Sequence, residues 1–209
     1  MKQIFTIGAS SVYGVGGEDG GWADMLKRHL HQAMYGERGT GETCELFNFS
    51  KSGCTTDFVQ RTFPEQLKEY GRSGEVTVIL SVGGNDSKAT GTPENYVTTP
   101  EEYGVRMREL LTWLKANVTK VIVVGNAWVD EDKTNPKISP FDGSKSFFTN
   151  DRFKLFRQVL EALCDELEVT FVGVDKAPEE WLRTYQHIDG LHPNDAGYKY
   201  IFAKLLAEI

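Results

Sequence analysis

Cysteine is scarce, positive charge is in the minority and long apolar runs are missing, and each shortage removes a class of explanation. Cys44, Cys54 and Cys164 are scattered over 209 residues without a CxxC spacing. An odd, unpatterned set argues against a disulfide framework and for thiols in a reducing compartment. Lys and Arg number 23 against 30 Asp and Glu, a formal charge of −7. Neither nucleic acid nor an anionic membrane is therefore an expected partner. The apolar run at residues 4–7 is too short for a signal peptide, and nothing approaches the length that spans a bilayer. A cytoplasmic location is expected. Histidine and cysteine also lack metal-ligand spacing, so no metal is expected. The glycine-rich stretch 14–21 has neither the Gly-Lys-Ser/Thr ending of a P-loop nor a dinucleotide fingerprint. With no repeat, low-complexity tract or linker, residues 1–209 read as one domain, large enough for a core without disulfides.

What is present alternates. Ile4, Phe5 and Ile7 read as a buried strand, and Trp22, Met25, Leu26, His29, Leu30 and Ala33 as a helix that stops at Gly36. Residues 44–49 form a second strand. Thr55 or Thr56 is then a candidate cap for a helix carrying Phe58, Val59, Phe63 and Leu67. The run 76–82 is apolar and largely β-branched, as a strand covered on both faces should be. A polar segment, 87–98, leads to Thr99-Pro100-Glu101-Glu102, which opens a helix ending near Asn117. A fourth strand at 120–124 and a long connection, 125–149, follow. Asn150 or Asp151 would cap the next helix, 169–174 would be a fifth strand, and 193–209 a closing helix. Five strands separated by helices imply a three-layer α/β sandwich, a parallel sheet with helices on both faces.

Chemistry gathers where the strands end. In a parallel sheet the carboxyl ends of the strands share one edge, so residues distant in sequence converge there. Ser10 follows the first strand, Ser52-Gly53 the second, and Gly83-Gly84-Asn85-Asp86 the third. His187-Ile188-Asp189-Gly190-Leu191-His192-Pro193-Asn194 precedes the last helix. Asp189 and His192 are three apart in a turn, a spacing that brings a carboxylate to an imidazole. Pro193 suits a first helical position, so His192 would project from the helix start. Serine, imidazole and carboxylate make a triad. The Asn85 amide and the N–H groups of Gly53 and Ser10 are candidate oxyanion donors.

In this order the blocks resemble those of the SGNH hydrolases, or GDSL esterases and lipases, over nearly the whole chain. Gly8-Ala9-Ser10 with Gly14 is similar to the first block, and 48–53, which reads Asn-Phe-Ser-Lys-Ser-Gly, to the second. Gly83-Gly84-Asn85-Asp86 is similar to the third, and Asp189-Gly190-Leu191-His192-Pro193 to the last. The resemblance implies Ser10 as nucleophile, His192 as base, Asp189 as acid, and Ser10, Gly53 and Asn85 as the oxyanion hole. It also implies a flavodoxin-like fold and acyl transfer without a cofactor. The first block usually reads Gly-Asp-Ser; here Ala9 stands in the middle, which puts the loop's hydrogen bonding and local charge in question.

Other readings stay open. Ser11 competes with Ser10 as nucleophile, and Ala9 raises the alternative of a catalytically silent domain that binds a ligand or partner. A flavodoxin-like nucleotide binder fits the element order but has no phosphate cradle. His29 and His31 read as surface residues, His187 lacks the spacing to Asp189, Asp86 reads as a loop-stabilising acceptor, and Cys54 as a small buried residue. Trp128, Phe141, Phe147 and Phe148 in the 125–149 loop would either wall an acyl or sugar pocket or pack the loop onto the body. Short-chain esters of a small molecule or acetylated carbohydrates are the expected substrates. Nothing in the sequence addresses the oligomeric state.

Overall fold

The computed structural model describes residues 1–37, 41, 43–139 and 142–209. In chain order the first half runs β1 (Lys2–Gly8), α1 (Ser10–Tyr13), α2 (Trp22–Tyr35), β2 (Cys44–Asn48), α3 (Thr56–Tyr70), β3 (Val76–Ser81) and α4 (Gly84–Ser87). Next come β4 (Ala89–Thr90), α5 (Pro100–Asn117), β5 (Lys120–Val124), α6 (Glu131–Thr134), β6 (Lys137–Ile138) and β7 (Lys145–Phe147). The chain closes with α7 (Asn150–Glu166), β8 (Thr170–Val172), α8 (Pro178–Thr184) and α9 (Asp195–Leu206).

Five strands form an all-parallel sheet in the order β2-β1-β3-β5-β8. The expected three-layer α/β sandwich is what forms. The apolar runs explain it directly, because a pleated strand sends successive side chains to opposite faces. Phe5, Ile7, Val78, Leu80 and Val123 enter one core with residues of α3, α5 and α7. Ile4, Ile79, Ile122 and Val124 enter the other, with residues of α2, α8 and α9. Truncating a fully buried side chain such as Leu80 to Ala would cost about 2–5 kcal/mol. Strand order reverses between β1 and β3, and ligands of open α/β sheets bind at such a switch point.

The structure keeps one expected helix start and moves two others. Thr55 occupies the cap position of α3 without a side-chain cap bond; the carboxylate of Asp86 takes the Thr56 amide instead, at 3.0 and 3.2 Å. Thr149, not Asn150 or Asp151, precedes α7, because the Asn150 side chain is engaged with the backbone of Val129 at 2.9 Å in both directions. The last helix begins at Asp195, capped by Asn194 Oδ1 accepting from the Gly197 amide at 2.9 Å. Pro193 lies before it, bridged antiparallel to Gln186.

Two segments read as irregular pair with each other. Ala89–Thr90, from the polar stretch 87–98, and two pieces of the 125–149 connection form a small antiparallel sheet in the order β4-β7-β6. Among the described residues no helix is long and apolar enough to cross a membrane.

Candidate active site

Ser10 is placed by the tight end of β1. Gly8 has φ +151°, and a Cβ there would stand 2.1 Å from the Ser81 carbonyl oxygen on β3, so only glycine fits. The chain then turns into α1, which Gly14 closes by donating to the Ser10 carbonyl at 2.9 Å. Ala9 sits at the cap position with no side-chain acceptor. Its carbonyl takes the amides of Val12 and Tyr13, both at 3.1 Å, so backbone holds the turn that a capping carboxylate could otherwise brace.

Ser10 Oγ lies 2.8 Å from His192 Nε2, and His192 Nδ1 lies 2.6 Å from Asp189 Oδ2. The His192 side chain is 10% exposed. Ser11 lines the same cavity but has no hydrogen bond to His192. The turn carrying Asp189 and His192 is hairpin-like: His187 N donates to His192 O at 2.8 Å, and Gly190 N to His187 O at 3.0 Å. That turn, rather than the start of α9, projects the imidazole. Asp189 Oδ1 accepts the amides of Leu191 and His192 at 3.0 and 3.1 Å. Burial alone would raise its pKa, but the bonds from the His192 ring and from those two amides outweigh it and hold the carboxyl far below its ordinary value.

Two further groups reach Asp189 that spacing did not assign to it. His187 Nδ1 is 3.3 Å from Asp189 Oδ1. Lys137, on β6, donates to the Asp189 carbonyl at 2.9 Å and stands 3.4 Å from Oδ2. No local pattern announced Lys137, which is 52 residues away in sequence.

The third block forms the single turn α4, entered through Gly83 at φ +108°, so Asn85 itself is helical. Asn85 and Ser10 line one cavity of about 60 Å³, whose apolar wall includes Val124, Phe148, Phe153, Leu191 and Ile201. Asn85 Oδ1 accepts from Lys88 Nζ at 3.4 Å. Gly53 stands on the turn after β2, tied to the end of β1 by Lys51 N donating to Gly8 O at 2.9 Å. It is not part of the cavity lining, and nothing lies within 4 Å of where its Cβ would be. Cys54 is buried, and burial first, then the nearby Asp86, pushes its thiol up to about 11, which suits a packing role.

The aromatic loop divides its work. Phe148 lines the cavity and Phe147 is half-buried, whereas Trp128 packs toward the body, donating to Lys176 O at 2.8 Å with Arg157 stacked on its ring. Phe141 lies outside the described residues. His29 and His31 are exposed, as expected.

The profile of the GDSL-like lipase/acylhydrolase family matches residues 6–200. The isoamyl acetate-hydrolyzing esterase of Saccharomyces cerevisiae is 30% identical over 160 residues, which cover 75% of this chain but only 65% of that esterase. The acetylxylan esterase of Geobacillus stearothermophilus superposes with a TM-score of 0.70 at 19% identity, over 99% of this chain and 93% of that one. A lipase/acylhydrolase from Enterococcus faecalis gives 0.71 at 16% identity, over 100% of this chain and 95% of the other. Both structures share the fold.

Proposed function

The chain belongs to the GDSL-like lipase/acylhydrolase family, and from that premise we propose that it hydrolyses carboxylic esters by way of an acyl-enzyme on Ser10. The observation that carries the reading is the unbroken chain from Ser10 Oγ through His192 to Asp189, at 2.8 and 2.6 Å. In this reading His192 Nε2 takes the Ser10 proton as Oγ attacks the ester carbonyl. Asp189, ionised by its amide donors, stabilises the imidazolium. The Asn85 amide and the backbone N–H groups of Ser10 and Gly53 receive the oxyanion, each worth about 3–4 kcal/mol where such donors have been removed elsewhere. The protonated imidazole next passes its proton to the leaving alcohol. Water, deprotonated by the same imidazole, then attacks the acyl-enzyme and releases the acid.

For the substrate we propose short acyl groups, acetyl foremost, on a small alcohol or a carbohydrate. A cavity of about 60 Å³ with Phe148 and Phe153 in its wall supports a short acyl group. The yeast and Geobacillus relatives are both named for acetyl esters. A cytoplasmic location goes with this reading.

The test is labelling with a fluorophosphonate, followed by turnover of p-nitrophenyl esters of increasing acyl length. A single adduct on Ser10 and a kcat/KM that falls from acetate to octanoate are expected. An adduct on Ser11 moves the nucleophile. No adduct and no turnover from folded protein would leave the silent binding domain.

A further inference from the structure

Lys88 follows the single turn of α4, three residues after Asn85, and the proposed chemistry does not yet use it. Long cationic side chains ordinarily reach for water. This one is half-buried beside the cavity, and its ammonium lies 5.8 Å from the centroid of the Phe148 ring. Burial pulls its pKa below the ordinary lysine value, and the nearby Asp86 pushes the other way. Among the described residues it has no carboxylate within ion-pair distance. Its hydrogen bond goes to Asn85 Oδ1 at 3.4 Å.

An ammonium carries three donors and no acceptor, so it faces the oxygen of a carboxamide and not the NH₂. The end of an asparagine side chain otherwise turns easily between two orientations of nearly equal shape. Only one of them serves an oxyanion, because the flipped amide would present its own lone pairs to the developing negative charge. The amide oxygen of Asn85 is held on the Lys88 side, which leaves the NH₂ for the opposite side. We propose that Lys88 is a positioning residue that sets the orientation of the Asn85 amide and, through that bond, polarises its NH₂ toward the oxyanion. The inference rests on the reading of Ser10 as nucleophile and Asn85 as oxyanion donor.

The test is steady-state kinetics on p-nitrophenyl acetate, a neutral ester, for wild type, Lys88→Met, Lys88→Arg, Asn85→Ala and the Asn85→Ala/Lys88→Met double variant. Thermal melting would confirm that each is folded, and Lys88→Gln replaces Lys88→Met if that variant is not. Removing an oxyanion donor outright costs about 100- to 1,000-fold, so loss of its orienting partner should lower kcat by roughly 10- to 50-fold with KM within about twofold. Lys88→Arg should recover most of the loss. The double variant should be no more than about twofold worse than Asn85→Ala, because the lysine then has no amide to orient.

Unchanged kcat in Lys88→Met overturns the inference. So does a raised KM with kcat preserved, which would make the lysine a substrate contact, and so does a full additional loss in the double variant. A Ser10→Ala control separates the layers. If it is inactive while Lys88→Met is unaffected, only this inference fails. If it still turns over, the Ser10 reading fails and takes the inference with it.

Discussion

Asp86, in the single turn of α4 that follows β3, and Asp189, in the turn before α9, are carboxylates at the same edge of the sheet with opposite surroundings. Asp86 is fully buried and holds the Thr56 amide at the start of α3. Burial dominates there and raises its pKa despite the bonds from Thr56. The Asp189 side chain is 23% exposed, and two amides, the His192 ring and Lys137 all approach its oxygens. Its pKa falls because those donors outweigh burial. The difference teaches that proximity to the site does not assign a role. A carboxylate rich in donors stays ionised and can orient an imidazole; one that is deeply buried with fewer donors ties two elements together.

Exchanging the two carboxylates for neutral residues should separate catalysis from stability. The largest effect is expected from Asp189→Asn, which should lower kcat on an activated acetate ester by about 10,000-fold, as loss of the imidazole's orienting partner does in known triads. A comparable loss from Asp86→Asn instead would reverse the two assignments. Next, Asp86→Ala should destabilise the fold by about 2–3 kcal/mol in urea titration, because the buried Thr56 amide loses its acceptor. The kcat of its folded fraction should fall far less than that of Asp189→Asn.

Acid should divide the pair by sign. The pKa of Asp189 is lower in the folded state than in the unfolded chain, so its contribution to stability is present above the unfolded value near 3.9 and is lost as pH falls through the folded value. That of Asp86 is higher in the folded state, so folding is favoured with the proton on, and the contribution fades as pH rises through the raised value. Urea titrations from about pH 3 upward should therefore show wild type gaining on Asp189→Asn with rising pH and losing ground to Asp86→Asn. Slopes of one sign would mean the surroundings have been misread. The smallest effect is expected from Lys137→Met, about a two- to fivefold drop in kcat, the worth of a half-exposed ion pair. No change there would leave the hydrogen bonds from the Leu191 and His192 amides and the His192 ring as sufficient to hold Asp189.

Much of this was legible along the chain. The runs containing Phe5, Val78 and Val123 read as strands because a strand covered on both faces is apolar at most of its positions. The Thr99–Glu102 helix start was readable because Pro100 and the two acids after it lie within one turn, and the structure adds a capping box there with both bonds at 3.2 Å. Helix α8 also carried a local signal, Pro178 followed by Glu179 and Glu180, although it read as loop. The β4-β7-β6 sheet carried none: its strands are two or three residues long and become strands only by pairing across the fold.

The sequence by itself determined the order of the strands along the chain and the breaks at Gly8 and Gly83. It also determined the Asp189–His192 spacing, since each depends on residues within one turn of each other. Only the tertiary structure decided that Asp86 would cap a helix 30 residues away, that Lys137 would reach Asp189 across 52, and which side of the Asn85 amide a half-buried lysine would hold. Hydrogen bonds and charges act over a few ångströms of space, and folding alone sets which distant residues come within that reach.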